Sequence, residues 1–218
     1  MSDFSPLKIT ARLQCGVIAD GGICLDAPLL YYALLERDGS QVTTTTEDCF
    51  PDTTMPIRLP FAIHNEGQDD WFYACSQGQW SEPKVDGTDY WNKRFDLAYS
   101  DLIDFGGKRG QITTGYGQFK PYHMPVFYRH ALSLTWYCVG DKIEIARLLP
   151  FITNLGKKAS QGWGAVLAWD VQDWHADWSI YDDKGRLMRP IPNESGPLFG
   201  VRPPYRLVKN QFPCLIPI

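Results

Sequence analysis

The sequence has no cysteine pair spaced to hold zinc. Cys15, Cys24, Cys49, Cys75, Cys138 and Cys214 never come within two to five residues of one another. That excludes a C-x-x-C metal site, and a disulfide framework is not expected in a cytosolic chain of 218 residues. No apolar run approaches the ~20 residues that a bilayer-crossing helix needs. The opening "MSDFSPLKIT" lacks the positive and apolar regions of a signal peptide, so a cytoplasmic location is expected. The phosphate-loop pattern G-x-x-x-x-G-K-[ST] and the nucleophile elbow G-x-S-x-G are both missing. His64 and His175 have no close Cys or His partner, and the spacing of Asp96, Asp101 and Asp104 matches no calcium loop. No metal or other cofactor is expected.

What is present describes an ordered globular chain: 44% hydrophobic, 14% aromatic and only 21% charged. Its length suits one full core with a large insertion, or two small domains. The formal net charge of −4 conceals an asymmetry. Residues 1–90 carry five Lys/Arg against fourteen Asp/Glu, a balance of −9; residues 91–218 carry sixteen against eleven, a balance of +5. One face is thus suited to an anionic ligand, and another avoids it or meets a basic neighbour.

Strict alternation in "LKITARLQC" predicts a half-buried strand. Leu7, Ile9, Ala11, Leu13 and Cys15 face inward, and Lys8, Thr10, Arg12 and Gln14 form a basic, polar open face. Asp26 then reads as the N-cap of a helix in which Leu30, Ala33, Leu34 and Arg37 recur, ended by Gly39. The same grammar returns downstream in "ALSLTWYCV", with Leu132, Leu134, Trp136 and Cys138 inward. Asp141 and Glu144 stand as N-cap and third helical position, ahead of a stripe of Ile145, Leu148, Leu149 and Ile152. Pro150 conflicts with an unbroken helix and predicts a kink or restart. "GAVLAWDVQ" follows as a strand with Leu167, Trp169 and Val171 inward.

Two strand–helix units around a strand-rich middle fit the α+β class, with a ferredoxin-like β-α-β-β-α-β sheet. The core is expected at about 1–40 and 131–175, with an inserted β-ribbon and mobile loops at about 41–130. A hairpin, "WSIYDDKGRLM", and a proline-rich tail at about 176–218 wrap the surface.

The segment "TNLGKKASQGWGAVLAWDV" poses the functional question. Gly156, Gly162 and Gly164 surround Lys157, Lys158, Ser160 and Gln161. Glycines permit positive φ, successive amides form an anion-binding concavity, and the lysines add charge. Ser160 and Gln161 supply neutral donors, and Trp163 offers a flat surface for a base or a core side chain. Because the loop follows a helix and precedes a strand, it is no nucleotide-triphosphate loop. Lys93 and Arg94 follow Tyr90–Trp91, and Lys108 and Arg109 lie between glycines, so basic residues adjoin glycines or aromatics at three places.

This loop resembles the G-x-x-x-x-x-G-x-G loop after the second helix of the RRM-like domain in the RAMP superfamily of CRISPR-associated proteins. The opening "LKITARLQCGVIADGGICLDAPLLYYALL" and the late "RPPYRL" further resemble the Cas-five-like subunit of type IV (Csf-type) effector complexes. The resemblance covers about 1–40 and 130–210 and is weaker through the insertion. It implies a noncatalytic subunit that caps one end of a ribonucleoprotein by gripping the 5′ handle of the crRNA. The implied partners are a Cas-seven-like backbone subunit, the type IV large subunit and, indirectly, a DinG-type helicase, with no membrane involved. The ribbon would act as a thumb against the backbone subunit, the guide or both. An RNA end is held by phosphate contacts and splayed bases, which assigns RNA contacts to the loop from Gly156 to Gly164, to Lys93, Arg94, Lys108 and Arg109, and to Lys8 and Arg12. Target DNA near the flanking motif is a further partner for "DFGGKRGQITTGYGQFK", through Lys108, Arg109 and Lys120.

Two other readings stand beside this one. "KPYHMPVFYRH" gathers Lys120, Tyr122, His123, Tyr128 and His130, residue types that serve metal-independent cleavage of precursor crRNA, with Lys120, Tyr122 and His123 as the catalytic set. A protein-interaction module without RNA would explain the aromatics and the tail, but not the basic glycine loop.

Overall fold

The computed structural model describes residues 4–19, 21–38, 58–104, 106, 110 and 112–217; Gly39 and the first part of the insertion lie outside them. Chain order gives β1 (Ser5–Leu13), α1 (Asp26–Asp38), a short pair β2 (Ile63–His64) and β3 (Phe72–Tyr73), β4 (Gln79–Trp80), then the long β5 (Val85–Lys93) and β6 (Tyr122–His130). After these come β7 (Ser133–Gly140), α2 (Lys142–Leu148), β8 (Val166–Asp173) and the tail strands β9 (Ile191–Pro192), β10 (Leu198–Gly200) and β11 (Gln211–Leu215). The architecture is mixed α+β, and among the described residues every strand pairing is antiparallel.

The main sheet runs β4-β7-β1-β8. Alternation decides its inner face: Leu7, Ile9 and Ala11 of β1 and Leu134, Trp136 and Cys138 of β7 are buried, together with Leu29, Leu30 and Leu34 of α1. α2 closes the same core with Ile145 and Leu148. Asp141 caps it by accepting from the Ile143 and Glu144 amides, while Glu144 turns away to pair with Arg147. At Pro150 the helix gives way to a 3-10 turn, Leu149–Phe151, which still delivers Leu149 and Ile152 to the core. Among the described residues no helix is long and apolar enough to cross a membrane, and no cluster of three metal-ligating side chains occurs.

Four expectations are corrected. Leu132 is 69% exposed, because it lies in the turn between β6 and β7. Leu167 is also exposed: β1 pairs Arg12 with Ala168 but Leu13 with Val166, so Leu167 is the extra residue of a bulge and Val166 takes the inward place. Asp26 is the first residue of α1 and not its N-cap: the Leu29 amide donates to the Leu25 carbonyl, and the Asp26 carboxylate accepts the Tyr205 hydroxyl at 2.5 Å. Residues 59–80 belong to the core instead of an insertion. Leu59, Phe61, Trp71, Tyr73 and Cys75 are buried in it, Cys75 bridges Cys138, and β4 pairs with β7. What protrudes is the ribbon of β5 and β6, paired from Val85↔His130 to Lys93↔Tyr122.

The tail makes a second small core of Phe72, Val201 and Cys214. Two buried arginines fasten it. Arg189 donates to the carbonyls of Tyr73, Cys75 and Val201 with its guanidinium over Phe72, and Arg202 donates to those of Asp69 and Trp71 with its guanidinium over Trp71. Carbonyl dipoles and ring faces replace the lost water around both cations.

Candidate nucleic-acid interface

None of the residues of β5 and β6 is buried, so both faces of the ribbon meet solvent. Successive side chains of a strand point to opposite faces. The register places Trp91 and Lys93 with Tyr122, Met124 and Tyr128 on one face, and Tyr90 and Asn92 with His123, Phe127 and Arg129 on the other. On the first face Trp91 and Tyr122 lie parallel, 6.3 Å apart, and Lys93 sits 5.8 Å from the Tyr122 ring centre. On the second face His123 stacks on Tyr90 at 4.5 Å and is fixed by Asn92 Oδ1 on Nδ1. There Arg129 forks onto Asp86 and holds its carboxyl below the usual carboxylate range through that hydrogen bond.

The glycine loop meets the first face. Its backbone is held from behind by the strand-end turn of β1: the Lys157 amide donates to the Ile18 carbonyl (2.7 Å) and the Gly164 amide to the Gly16 carbonyl (2.9 Å). Cys15 serves as a bracket, its thiol donating to the Gly162 carbonyl (3.1 Å) and accepting from the Ala165 amide (3.3 Å). Gly156, Gly162 and Gly164 adopt positive φ, as does Lys158 at 60°. That left-handed turn sends the Lys158 ammonium over the Trp91 ring, 4.4 Å from its centre, while Trp163 packs on Tyr128 at 5.0 Å. Loop and ribbon therefore form one surface of ammonium groups and flat rings. Ser160 and Gln161 are exposed on it, in a 3-10 turn with no side-chain cap on its first amides.

The cradle of main-chain amides is narrower than the sequence predicts. The amides of Lys157, Gln161, Gly162 and Gly164 already donate to backbone carbonyls. A Cβ on Gly156 or Gly164 would strike the chain's own backbone, Ile18 O at 2.3 Å and Leu155 O at 1.9 Å, so those glycines permit self-contact, not ligand approach. The remaining positions scatter. Arg12 stands exposed at the end of β1 that adjoins the loop, whereas Lys8 lies over Trp174 in a cluster with Tyr137 and Trp178. Lys93 also donates to the Gln118 carbonyl, and Arg94 lines a cavity near the ribbon tip. Lys108 and Arg109 lie outside the described residues. Tyr122 and His123 point to opposite faces of β6, so the set Lys120, Tyr122 and His123 does not converge. Sequence reasoning misses Trp91, Tyr128 and Cys15 as parts of this surface; alternation along β5 already sets Trp91 beside Lys93, but nothing local pairs Cys15 with Gly162.

Comparison with known families agrees with the type IV resemblance drawn from the opening segment and the tail. A family model described as CRISPR type IV associated protein Csf3 matches residues 5–217. The chain is thus a type IV CRISPR-associated protein, and it belongs to the Csf3 family. No curated protein matches it.

Proposed function

We propose that this chain is a noncatalytic subunit of a type IV CRISPR ribonucleoprotein and holds the 5′ handle of its crRNA between the glycine loop and the Trp91 face of the ribbon. One observation carries the reading: Lys158 over Trp91, beside Trp163 on Tyr128, combines phosphate-binding charge with base-stacking surface where loop and ribbon meet. Arg12, Lys93, Lys157, Ser160 and Gln161 extend the contact. A ferredoxin-like RAMP core is supported by the antiparallel order β4-β7-β1-β8, with α1 and α2 sharing one inner core. The partners of this reading are the crRNA, a Cas-seven-like backbone subunit and the large subunit.

The test is filter binding of a crRNA handle over a salt series. Lys157→Ala with Lys158→Ala should reduce the salt slope by roughly one for each phosphate that no longer meets an ammonium group. Trp91→Ala should weaken binding about 5- to 150-fold, the value of one stacked base. Unchanged affinity and slope in both variants would remove the assignment. Site-specific cleavage of precursor crRNA in EDTA, lost on His123→Ala, would instead make the protein a nuclease.

A further inference from the structure

The main sheet ends in two unlike edges. On the β7 side it is closed by short pieces: the two residues of β4, with Phe61 and Cys75 bridging Gly140 and Cys138. On the other side β8 runs for eight residues, and among the described residues nothing pairs with its outer edge beyond Val166. The register decides which groups are left over. The Trp174 amide donates to the Pro6 carbonyl and the Leu13 amide to the Leu132 carbonyl, so even-numbered residues of β1 bond to β8 and odd-numbered ones to β7. The main-chain groups of Ala168, Asp170 and Gln172 therefore face β1, and the amides and carbonyls of Trp169, Val171 and Asp173 point outward. These outward groups have no partner among the described residues. Leu7, Ile9 and Ala11 of β1 are fully buried, whereas Trp169 and Val171, on the same inner face, are half-buried, with no strand beyond them. Beside them α2 and β8 flank a groove of about 500 Å³, lined by Ala146, Leu149, Pro150, Trp169 and Val171 among others, with the Lys142–Asp173 ion pair (2.9 Å) at one end.

A row of outward amides and carbonyls, repeating every second residue, fits one kind of occupant: another extended chain, which offers donors and acceptors at the same spacing. We propose that β8 is a strand-addition site. An extended segment of another protein pairs with Trp169, Val171 and Asp173 and continues the sheet, and two of its apolar side chains, two residues apart, fill the groove over Ala146 and Leu149. The residue between those two points to the opposite face, next to the exposed Asp170 carboxylate, whose hydrogen bond comes from the Gln172 side chain at 2.6 Å and not from a cation. A Lys or Arg there completes the pattern apolar–basic–apolar. A second copy of this chain does not fit. Pairing β8 with β8 about Val171 sets Asp173 against Trp169, and the side chains offered to the groove are already occupied on their own core: Trp169 donates to the Ile152 carbonyl at 3.1 Å, and Asp173 holds Lys142. The groove would stay empty, against the close packing of protein interiors. The site uses no residue of the glycine loop or the ribbon. It rests on membership of a complex, as proposed above, but not on handle binding.

The experiment compares hydrogen exchange, resolved to single amides, in the isolated chain and in the complex assembled by co-expression with the other proteins and guide of its locus. In the isolated chain the amides of Trp169, Val171 and Asp173 should exchange freely, while those of Ala168, Asp170 and Gln172 are protected by β1. In the complex the three outward amides should slow by about 100-fold or more, which makes protection continuous along β8. Ala146 is exposed on α2, so Ala146→Trp fills the groove without entering the core. The isolated variant should keep its thermal midpoint and handle affinity. It should lose the added protection and join the complex roughly 100-fold more weakly, about tenfold for each displaced apolar side chain. Slow exchange of the outward amides in the isolated chain, unchanged exchange in the complex, protection produced by guide RNA alone, or an unaltered complex with Ala146→Trp overturns the proposal. Failure of the Trp91 and lysine variants to weaken handle binding, with the added protection present, would sink only the RNA reading.

Discussion

Alanine at Gly164 and alanine at Gly162 ask two different things of the same loop. Both glycines are left-handed, with φ of +70° and +86°. An L-residue in that region costs roughly 1–2 kcal/mol, so both variants lose at least that much. At Gly162 a Cβ meets nothing within 4 Å, and the cost ends there. At Gly164 the Cβ would lie 1.9 Å from the Leu155 carbonyl oxygen, so one of the two segments must move. Leu155 is 2% exposed, its amide donates to the Gly164 carbonyl at 2.8 Å, and the Gly164 amide donates to Gly16 at 2.9 Å. Breaking those two hydrogen bonds adds about 1–3 kcal/mol. Drawing Leu155 part-way out of the core adds about 1–2 kcal/mol more. The totals are about 1–2 kcal/mol for Gly162→Ala and about 3–7 kcal/mol for Gly164→Ala. At roughly 2–4 °C per kcal/mol for a chain of this size, the midpoint should fall by about 5 °C in the first and about 15 °C in the second. Differential scanning calorimetry measures both. Equal shifts, or a smaller one at Gly164, would mean that the loop does not pack on Leu155 as described.

Other perturbations test the rest of the fold. Arg189→Met strands the carbonyls of Tyr73, Cys75 and Val201 and should cost at least about 3 kcal/mol; limited proteolysis should then cut the tail beyond residue 176, and an uncut tail would speak against the clamp. Burial lowers the pKa of His64, which lies 3.0 Å from the Ser179 hydroxyl, so the unfolded chain binds the proton more readily. Stability should therefore be complete above about pH 6.5 and fall as the pH drops below it, and His64→Gln should flatten that part of a urea-midpoint profile. Asp26 is the opposite case, because burial raises its pKa and leaves Oδ2 without a hydrogen-bond partner. Its contribution is present at low pH and is lost as pH rises through the raised value. Asp26→Asn keeps an acceptor for Tyr205 and should stabilise the fold at pH 7 by about 1–3 kcal/mol, and a lower midpoint at that pH would contradict this account.

What could be read from the sequence was whatever is fixed locally. β1 and β7 announce themselves by period-two alternation, α2 by Asp141 and an apolar stripe, and its end by Pro150, because strand pleat, cap and proline geometry each act over a few residues. In the middle stretch "IRLPFAI" and "WFYACSQGQW" read as strands, but nothing local places them in the core. β2, β3 and β4 are two residues each, too short to show a period, and only their pairing and burial make them core. Leu167 failed for a related reason: its face depends on a bulge against Leu13, a property of the pairing and not of either strand.

The candidate surface divides in the same way. Glycines beside lysines were visible, and so was the charge surplus after residue 90, but both are statements about composition. The contacts that give the surface its form join Cys15 to Gly162, Trp163 to Tyr128, and Lys158 to Trp91, residues far apart in sequence. They also change the physical basis of the proposed grip. With four loop amides already donating within the protein, main-chain dipoles cannot be its main source. Charge and stacking must supply it, and these respond differently to conditions: ammonium–phosphate contacts weaken steeply with salt, whereas stacking on Trp91 does not. A handle affinity that keeps a large salt-independent part, and loses that part in Trp91→Ala, is the outcome this geometry requires. An affinity abolished by salt alone would return the assignment to the lysines and leave the ribbon without a share in it.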